Sequence, residues 1–255
     1  MKKIKLALIS VYDKNNLKFL IKNLNKFKIK LISSGGTYKE IKKMGFKCEE
    51  ISKYTNSSEI LSGRVKTLHP KIYAGILSNR KSISHKNDLK KNNYDEIDLV
   101  IVNFYPFKRT VQETKNHKKI IENIDIGGPA MVRAAAKNYN DVTVITNISQ
   151  YEELIKNINN NKGSTSLEFR KNAAMEAFGL TANYESLIYK YFKNMSSSEF
   201  PKKIILTFNL LERLRYGENP HQKGAIYTSS KDLGIEKLNG KQLSYNNYSD
   251  IFAAL

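Results

Sequence analysis

The 255-residue sequence contains one cysteine, Cys48, and lacks long hydrophobic runs. A single cysteine excludes a disulfide within the chain and suits a reducing cytoplasm. No apolar run approaches the roughly 18–20 residues that span a bilayer. The basic N-terminus, Met1-Lys2-Lys3-Ile4, is followed by neither the apolar core nor the cleavage site of a signal peptide. We therefore expect a soluble, cytoplasmic protein without membrane contact.

Acidic residues are scarce relative to basic ones, at 24 against 43, and the formal net charge is +19. Such a charge would suit a nucleic-acid-binding protein. The lysines are spread along the chain among many asparagines and isoleucines, and no helix-turn-helix, zinc-ligand spacing or aromatic RNA platform accompanies them. We interpret the charge as compositional bias and expect no specific nucleic-acid partner, only non-specific binding at low salt.

Short apolar segments alternate with helical patterns along the chain, and the 40% hydrophobic content is sufficient for a core. The predicted strands are Ile4–Ser10, Ile29–Ser33, Lys47–Ile51, Ile97–Asn103 and Val142–Thr146. Predicted helices cover Asn15–Phe27, the segment from Ser34 through Met44, Ser149–Asn159 and a segment that ends near Asn194. This alternation predicts an α/β fold with an open, mostly parallel sheet and helices on both faces.

Polar residues follow the predicted strands at Ser10–Lys14, at Ser34–Thr37, and at Asn103 and Tyr105. Ligands of open parallel sheets bind beyond the carboxyl ends of the strands, so we expect these groups to form one site. In Ser34-Gly35-Gly36-Thr37 the glycines would let backbone amides approach a phosphate, with two hydroxyls to help. The alternative is an ordinary strand-to-helix turn, with Lys14 solvated rather than bound to the same anion.

Asp125 precedes a helix start at Gly127-Gly128-Pro129, where Pro suits the first turn. The free N–H groups and the positive end of the helix would point at a ligand. Lys137 lies at the other end of a predicted helix about 13 Å long. Asp125 and Lys137 would therefore bracket a nucleotide-sized ligand. The alternative is a small-residue helix packed in the core, with Lys137 as a solvated cation.

The segment from Gly63 to Pro70 carries Arg64 and Lys66, which project to one side of an extended loop. A guanidinium suits two-point recognition of an oxyanion or carbonyl, and Lys66 supplies a point charge. His69 is expected to be a structural hydrogen-bonding residue. Asn103 and Tyr105 could donate hydrogen bonds to a developing negative charge. In the alternative interpretation, the aromatic residues around them plug the core.

Six motifs together resemble the bifunctional purine-biosynthesis enzymes that join an IMP cyclohydrolase to an AICAR formyltransferase. They are SVYDK (10–14), SSGGT (33–37), GRVKTLHPKIYAGIL (63–77), NFYPF (103–107), NIDIGGPAMVRAAAKN (123–138) and RYGENPHQ (215–222). The resemblance implies a methylglyoxal-synthase-like fold and ring closure of formyl-AICAR to IMP with loss of water, without metal or cofactor. It also implies a homodimer for the full-length family.

The resemblance also implies a role for each matching residue. Lys66 and Tyr105, with Asn103 near, would stabilise charge on the formyl oxygen, and Asp125 and Lys137 would transfer protons. Tyr12 departs from the small residue of some relatives. The implied nucleotide-binding residues are Ser10, Tyr12, Lys14, Ser34, Gly35, Gly36, Thr37, Arg64, Val65, Thr67, Asn103, Ile126, Gly127 and Gly128.

The expected domains are a cyclohydrolase domain over residues 1–196 and, over residues 197–255, a linker with the opening of the formyltransferase domain. The linker is Ser196-Ser197-Ser198, and Leu255 would lie within a helix. Arg215, Tyr216 and Asn219 would contact a nucleotide in the second domain. The later catalytic lysine–histidine element and the 10-formyltetrahydrofolate site are expected beyond Leu255.

We therefore expect no formyltransferase activity from this chain. Residues 200–255 are expected to be poorly ordered or held in a dimer contact, protease-sensitive, and dispensable for cyclisation. Two other classes of function stay open. One is a phosphate-sensing regulatory module with the same fold, and the other is a nucleic-acid-binding protein, for which charge is the only support.

Overall fold

The computed structural model describes residues 1–197, 199–230 and 232–254. The chain divides into two compact units, Met1–Ile188 and Tyr189–Leu255. Ser198 of the expected linker and Leu255 of the expected C-terminal helix lie outside the described residues. The expected domain boundary at residues 196 and 197 stays a prediction.

The first unit contains a five-stranded parallel sheet and a short antiparallel pair. Its strands are β1 (Lys2–Lys3), β2 (Leu6–Val11), β3 (Lys30–Ser33), β4 (Glu49–Glu50), β5 (Leu99–Asn103), β6 (Thr143–Ile145) and β7 (Ser164–Thr165). The parallel strands lie in the order β4-β3-β2-β5-β6, and β1 pairs with β7. The predicted open, parallel α/β sheet is confirmed.

Helices cover both faces of this sheet. The helices up to residue 195 are α1 (Leu17–Lys26), α2 (Gly35–Lys43), α3 (Ile51–Thr55), α4 (Pro70–Leu77), α5 (Ile83–Asn92), α6 (Phe107–Glu113), α7 (His117–Glu122), α8 (Gly127–Lys137), α9 (Tyr151–Asn160) and α10 (Leu167–Met195). Short 3-10 turns occur at Leu61–Gly63 and Ile148–Gln150. Among the described residues, no helix has both the length and the apolarity that crossing a membrane requires.

Alternate residues of the central strands enter two separate cores. Leu6 and Leu8 of β2 pack in a core with side chains of α3, α4, α8 and α10. Ala7, Ile9 and Val11 enter the opposite core, which α1, α2 and α9 cover. A strand buried on both faces reads as a continuous apolar run, which explains the sequence of β2 and β5. Because both faces are covered, the carboxyl edge of the sheet is where a ligand can approach.

Two local predictions need correction. The predicted strand Lys47–Ile51 shortens to β4, and Ile51 instead begins α3. Ile51 and Tyr54 are both buried in the first core, and their spacing of three residues is helical rather than extended. The helix after Asp125 has eleven residues and is about 16 Å long rather than the expected 13 Å, because it begins at Gly127. Pro129 lies in its first turn, as predicted.

Arg80, which carried no sequence signal, is a buried cation at the end of α4. Its guanidinium donates to the carbonyls of Ser78 at 2.7 Å, Gly75 at 3.1 Å and Ile97 at 2.9 Å. Its Nε also lies 3.4 Å from a carboxylate oxygen of Glu96. These bonds join the end of α4 to the segment that enters β5, and so they fix α4 against the parallel sheet.

The second unit contains an antiparallel hairpin, β8 (Asn209–Arg213) and β9 (Ala225–Thr228), and the helix α11 (Tyr245–Ala254). Large apolar side chains in this unit are exposed, among them Phe200, Leu206 and Leu238. The expectation that residues 200–255 are protease-sensitive stays a prediction.

We predict that Arg80→Leu lowers the free energy of unfolding by about 3–5 kcal/mol, because it removes a buried cation that is paired and hydrogen-bonded. Urea denaturation would measure the change. Arg109→Leu is the matched control, since Arg109 pairs with Glu113 on the exposed surface of α6. Surface pairs contribute little, so this control should unfold almost as the parent does. Equal losses in the two variants would contradict the structural role of Arg80.

Candidate functional site

A cavity of about 670 Å³ opens at the carboxyl ends of β2, β3 and β5. Its volume lies within the usual range for small-molecule sites, about 300–1,000 Å³. It is lined by Ser10, Val11, Tyr12, Lys14, Ser34, Gly35, Gly36, Thr37, Ser62, Gly63, Arg64, Lys66, Thr67, Asn103, Tyr105, Ile121, Glu122, Asn123, Ile124, Asp125, Ile126, Gly127, Gly128 and Met131. The predicted convergence of the strand-end groups is confirmed.

Val65 and Lys137 are the residues of the predicted first-unit site that do not line this cavity. Val65 instead bridges to Ile60 in an antiparallel contact. Lys137 is exposed at the C-terminal end of α8, while Asp125 precedes the N-terminal end. An eleven-residue helix is about 16 Å long, so the two side chains lie at opposite ends of it. A shared proton-transfer role for Lys137 therefore stays a prediction.

The turn into α2 has the features that the sequence predicted for an anion-binding turn. Gly35 has a φ of +52°, a left-handed conformation that favours glycine. A Cβ placed on Gly36 would lie 3.7 Å from Lys14 Nζ, and one on Gly35 would lie 3.9 Å from Lys66 Nζ. Two ammonium groups therefore reach the start of a helix whose first N–H groups have no partner within the helix. This is the arrangement that binds a phosphate.

Thr37 lines the cavity as predicted, but its hydroxyl binds the protein backbone. Thr37 Oγ1 donates to the Val11 carbonyl at 3.0 Å and accepts from the Val11 N–H at 3.0 Å. Because the hydroxyl proton is used at the end of β2, it is not available to donate to a phosphate. The expectation of two donating hydroxyls at this turn is corrected to Ser34 alone.

Asn103 uses its amide oxygen and one of its two Nδ2 donors on the loop after β2, so its predicted donation to a reacting oxygen stays a prediction for the second donor. Its Oδ1 accepts from the N–H groups of Tyr12 at 2.6 Å and Asp13 at 3.0 Å, and its Nδ2 donates to the Asp13 carbonyl at 3.0 Å. The side chain thus clamps the loop after β2, which carries Lys14. The Tyr12 ring packs on Tyr105 with centroids 5.1 Å apart, so the unusual aromatic residue at position 12 extends the wall of the cavity.

Asp125 lies where the chain enters α8. Its Oδ1 accepts from the Gly128 N–H at 2.9 Å. Burial raises the pKa of the Asp125 carboxyl above its usual value, although the hydrogen bond from Gly128 opposes this. A carboxylate with a raised pKa is a better proton acceptor than an ordinary aspartate. The geometry therefore suits the predicted proton-transfer role of Asp125.

Tyr184 of α10 supports Asp125 from inside the protein, although no sequence pattern predicts this contact. The Asp125 N–H donates to the Tyr184 hydroxyl at 2.8 Å. The Tyr184 ring packs against Phe104 and Phe107, with centroids 5.1 and 6.1 Å away. The expectation that these phenylalanines plug the core is confirmed. No local motif could have revealed a partner that lies 59 residues away along the chain.

Two acidic residues pair with the cations of the 63–67 loop, and both were also missed. Arg64 Nε donates to Glu122 Oε2 at 3.2 Å, and Arg64 Nη2 donates to the other carboxylate oxygen. Lys66 Nζ lies 3.3 Å from Glu59 Oε2. Charge spacing gave no signal for Glu122, because it lies on α7, far along the chain. His69 caps α4 by accepting from the Lys71 N–H at 3.1 Å, so its predicted structural role is confirmed.

In the second unit, the predicted nucleotide contacts lie in the turn that follows β8. The Arg215 guanidinium stacks over the Tyr216 ring, 4.8 Å from its centroid, and the Asn219 N–H donates to Gln222 Oε1 at 2.9 Å. Their nucleotide-binding role stays a prediction. Across the described parts of the chain, no group of three or more His, Cys, Asp or Glu side chains is arranged to hold a metal ion.

Two family models match this chain. Residues 16–130 match the family described as an MGS-like domain, and residues 135–255 match the family described as the AICARFT/IMPCHase bienzyme. Among solved structures, the chain is similar to the one titled "Crystal structure of ForH". The TM-score is 0.66 at 28% identity, and the match covers 74% of this chain and 99% of that chain.

Curated relatives named "Bifunctional purine biosynthesis protein PurH" are similar over nearly the whole chain. The Elusimicrobium minutum protein is 42% identical over 253 residues, which is 98% of this chain and 49% of the relative. The Clostridioides difficile protein is 44% identical over 255 residues, at 98% and 50% coverage. The Lactobacillus acidophilus protein is 45% identical over 258 residues, at 99% and 50% coverage. The chain spans about half the length of the curated relatives it matches.

We predict that Gly128→Ala destabilises the site, because the added Cβ would lie 2.3 Å from Asp125 Oδ2. Displacing the carboxylate should lower the free energy of unfolding by about 1–3 kcal/mol. Gly179→Ala is the control, since a Cβ there meets nothing within 4 Å and Gly179 lies inside α10. That change should stabilise the protein by about 0.5–1 kcal/mol. Denaturation curves that rank the two variants in the opposite order would contradict this packing.

Proposed function

This chain belongs to the family of the bifunctional purine biosynthesis protein PurH, whose N-terminal half it matches, and from that premise we propose that it is an IMP cyclohydrolase. The reaction is ring closure of formyl-AICAR to IMP with loss of water. The observation that supports this most is the convergence, in one cavity, of an anion-binding turn, Lys66, Tyr105 and a carboxylate with a raised pKa.

The substrate phosphate binds at the start of α2 in this proposal. The backbone N–H groups of the Ser34–Thr37 turn and the Lys14 ammonium contact it, because Lys14 lies beside Gly36. The base and its carboxamide then extend toward Gly127 and Gly128 at the start of α8. Thr67 lies beside Gly127, since a Cβ there would be 2.7 Å from Thr67 Oγ1. Both glycines thus leave room where the reacting groups are held.

In the chemical step, the carboxamide nitrogen attacks the formyl carbon and forms the ring C–N bond. Asp125 accepts the proton that this nitrogen loses, and the Lys66 ammonium and Tyr105 hydroxyl stabilise the charge on the former formyl oxygen. That oxygen is then protonated and leaves as water, while the formamido nitrogen loses its proton and the ring double bond forms. The step needs acid–base and electrostatic catalysis alone.

A phosphate-sensing regulatory module is the alternative, and one observation favours it: Lys137 lies outside the cavity of its own chain. Such a module needs the anion-binding turn but neither Lys66, Tyr105 nor Asp125. Following the absorbance change of formyl-AICAR cyclisation, without added metal or folate, separates the two. We expect turnover well above the uncatalysed rate. Purified protein that binds IMP but shows no turnover would support the regulatory module instead.

We predict that Asp125→Ala lowers kcat by roughly 10²–10⁴-fold with a smaller change in KM, because it removes the proton acceptor. Lys14→Ala should act mainly on KM, since a phosphate contact is present in both the ground and the transition state. In the parent, kcat/KM should fall as the pH drops through the raised pKa of Asp125. This acid limb should therefore lie above the ordinary aspartate pKa of about 3.9.

Lys137→Ala tests the remaining catalytic residue that the resemblance implies. Lys137 does not reach the cavity within one chain, so its loss should change kcat little if each chain works alone. A kcat loss as large as that of Asp125→Ala would show that Lys137 reaches the substrate from another copy of the chain or after a rearrangement. Measuring the sedimentation of the parent with and without IMP distinguishes those two cases.

A further inference from the structure

Glu122 is an acidic residue in a cavity that the proposed function fills with an anion. Its two carboxylate oxygens accept from Nε and Nη2 of Arg64, the first at 3.2 Å. This two-point geometry is also the one by which a guanidinium binds a phosphate. Glu122 thus occupies two of the five N–H donors of Arg64 and neutralises its charge.

The other two cations of the cavity differ in their pairing. Lys66 lies 3.3 Å from Glu59, which partly neutralises it. Lys14 donates to the Tyr12 carbonyl at 3.2 Å, and no carboxylate of the described residues lies within ion-pair distance of its ammonium. At the glycine turn, Lys14 therefore offers its full charge to a ligand, whereas Arg64 does not.

We propose that Glu122 is a specificity-determining residue that neutralises Arg64 and so limits the cavity to ligands with a single phosphate group. The inference rests on the nucleotide-binding role proposed above. One phosphate is served by the N–H groups of the turn and by Lys14. A second phosphate would have to displace Glu122 from Arg64 or lie beside its negative charge, and like charges held together oppose binding. Glu122 therefore disfavours a ligand with two phosphates both by repelling the second phosphate and by occupying donors of Arg64.

The test compares ligands that differ by one phosphate: IMP with inosine 5′-diphosphate, and inorganic phosphate with pyrophosphate. Their Kd values are measured by calorimetry for the parent and for Glu122→Gln, which keeps the size of the side chain and removes its charge. We expect the Kd ratio to shift by about tenfold toward the ligand with two phosphates, the size of one charge-assisted hydrogen bond. The Kd of IMP should change little.

Glu113→Gln is the matched control. Glu113 pairs with Arg109 at 2.6 Å on α6, so this variant removes the same charge from an exposed ion pair outside the cavity. It should leave both Kd ratios unchanged, and an equal shift in the two variants would overturn the proposal by showing a general effect of net charge. In an Arg64→Ala background, Glu122→Gln should shift the ratio less, because only the repulsion by Glu122 is then removed. A shift as large as in the parent background would overturn the role of the Arg64 pair.

The outcomes separate this inference from the proposed function. A parent chain that neither cyclises formyl-AICAR nor binds IMP would refute both. A parent that does both, together with a folded Glu122→Gln variant of unchanged ratio, would refute this inference alone. If Glu122→Gln does not fold, Glu122→Ala replaces it, because alanine removes both the charge and the two bonds to Arg64. An unchanged ratio in that variant would count equally against the proposal.

Discussion

The site depends on side-chain hydrogen bonds that fix the backbone where β2 and β5 end. The Thr37 hydroxyl hydrogen-bonds both the backbone N–H and the carbonyl of Val11. Asn103 binds the Tyr12–Asp13 segment through three hydrogen bonds. A parallel sheet leaves the backbone groups at its carboxyl edge without ladder partners, and buried polar groups must find others. Here those partners also set the direction of the loop that carries Lys14. The cost of ending two buried strands is thus met by the residues that shape the cavity.

The charge of each cation in the cavity depends on its own acidic partner and not on the large net positive charge of the whole chain. Arg64 and Lys66 each have an acidic partner, and the partners come from outside their own loop. The net charge of +19 therefore says little about the site. What matters there is the pairing of each cation, the helix start beside Lys14, and the burial that raises the pKa of Asp125.

The sequence predicted the sheet, and all but two of the first-unit site residues that it predicted line the cavity, because both follow from local patterns. Apolar runs such as Ile97–Asn103 can be satisfied only between two covered faces, and ligand groups of such sheets lie at strand ends. What the sequence could not supply was the task of each polar atom. Thr37 and Asn103 have hydroxyl and amide groups that would suit a ligand equally well, and only the fold shows that the strand ends use the Thr37 hydroxyl and the Asn103 amide oxygen. Likewise, no spacing rule links Glu122 to Arg64 or Tyr184 to Asp125, because those pairs meet through tertiary packing.

Tyr184 also shows that the two stretches of the chain matched by the family models contact each other. Asp125 belongs to the stretch that matches the MGS-like domain, whereas Tyr184 belongs to the stretch that matches the AICARFT/IMPCHase bienzyme. The Asp125 N–H lies at a partly buried position and donates its hydrogen bond to the Tyr184 hydroxyl. Removing α10 would leave this N–H without that acceptor. It would also remove the Tyr184 ring that packs on Phe104 and Phe107. A buried donor without an acceptor costs about 1–3 kcal/mol, enough to move the loop that carries the carboxylate. The smallest unit that holds Asp125 in place therefore extends beyond residue 130 and includes α10 as far as Tyr184.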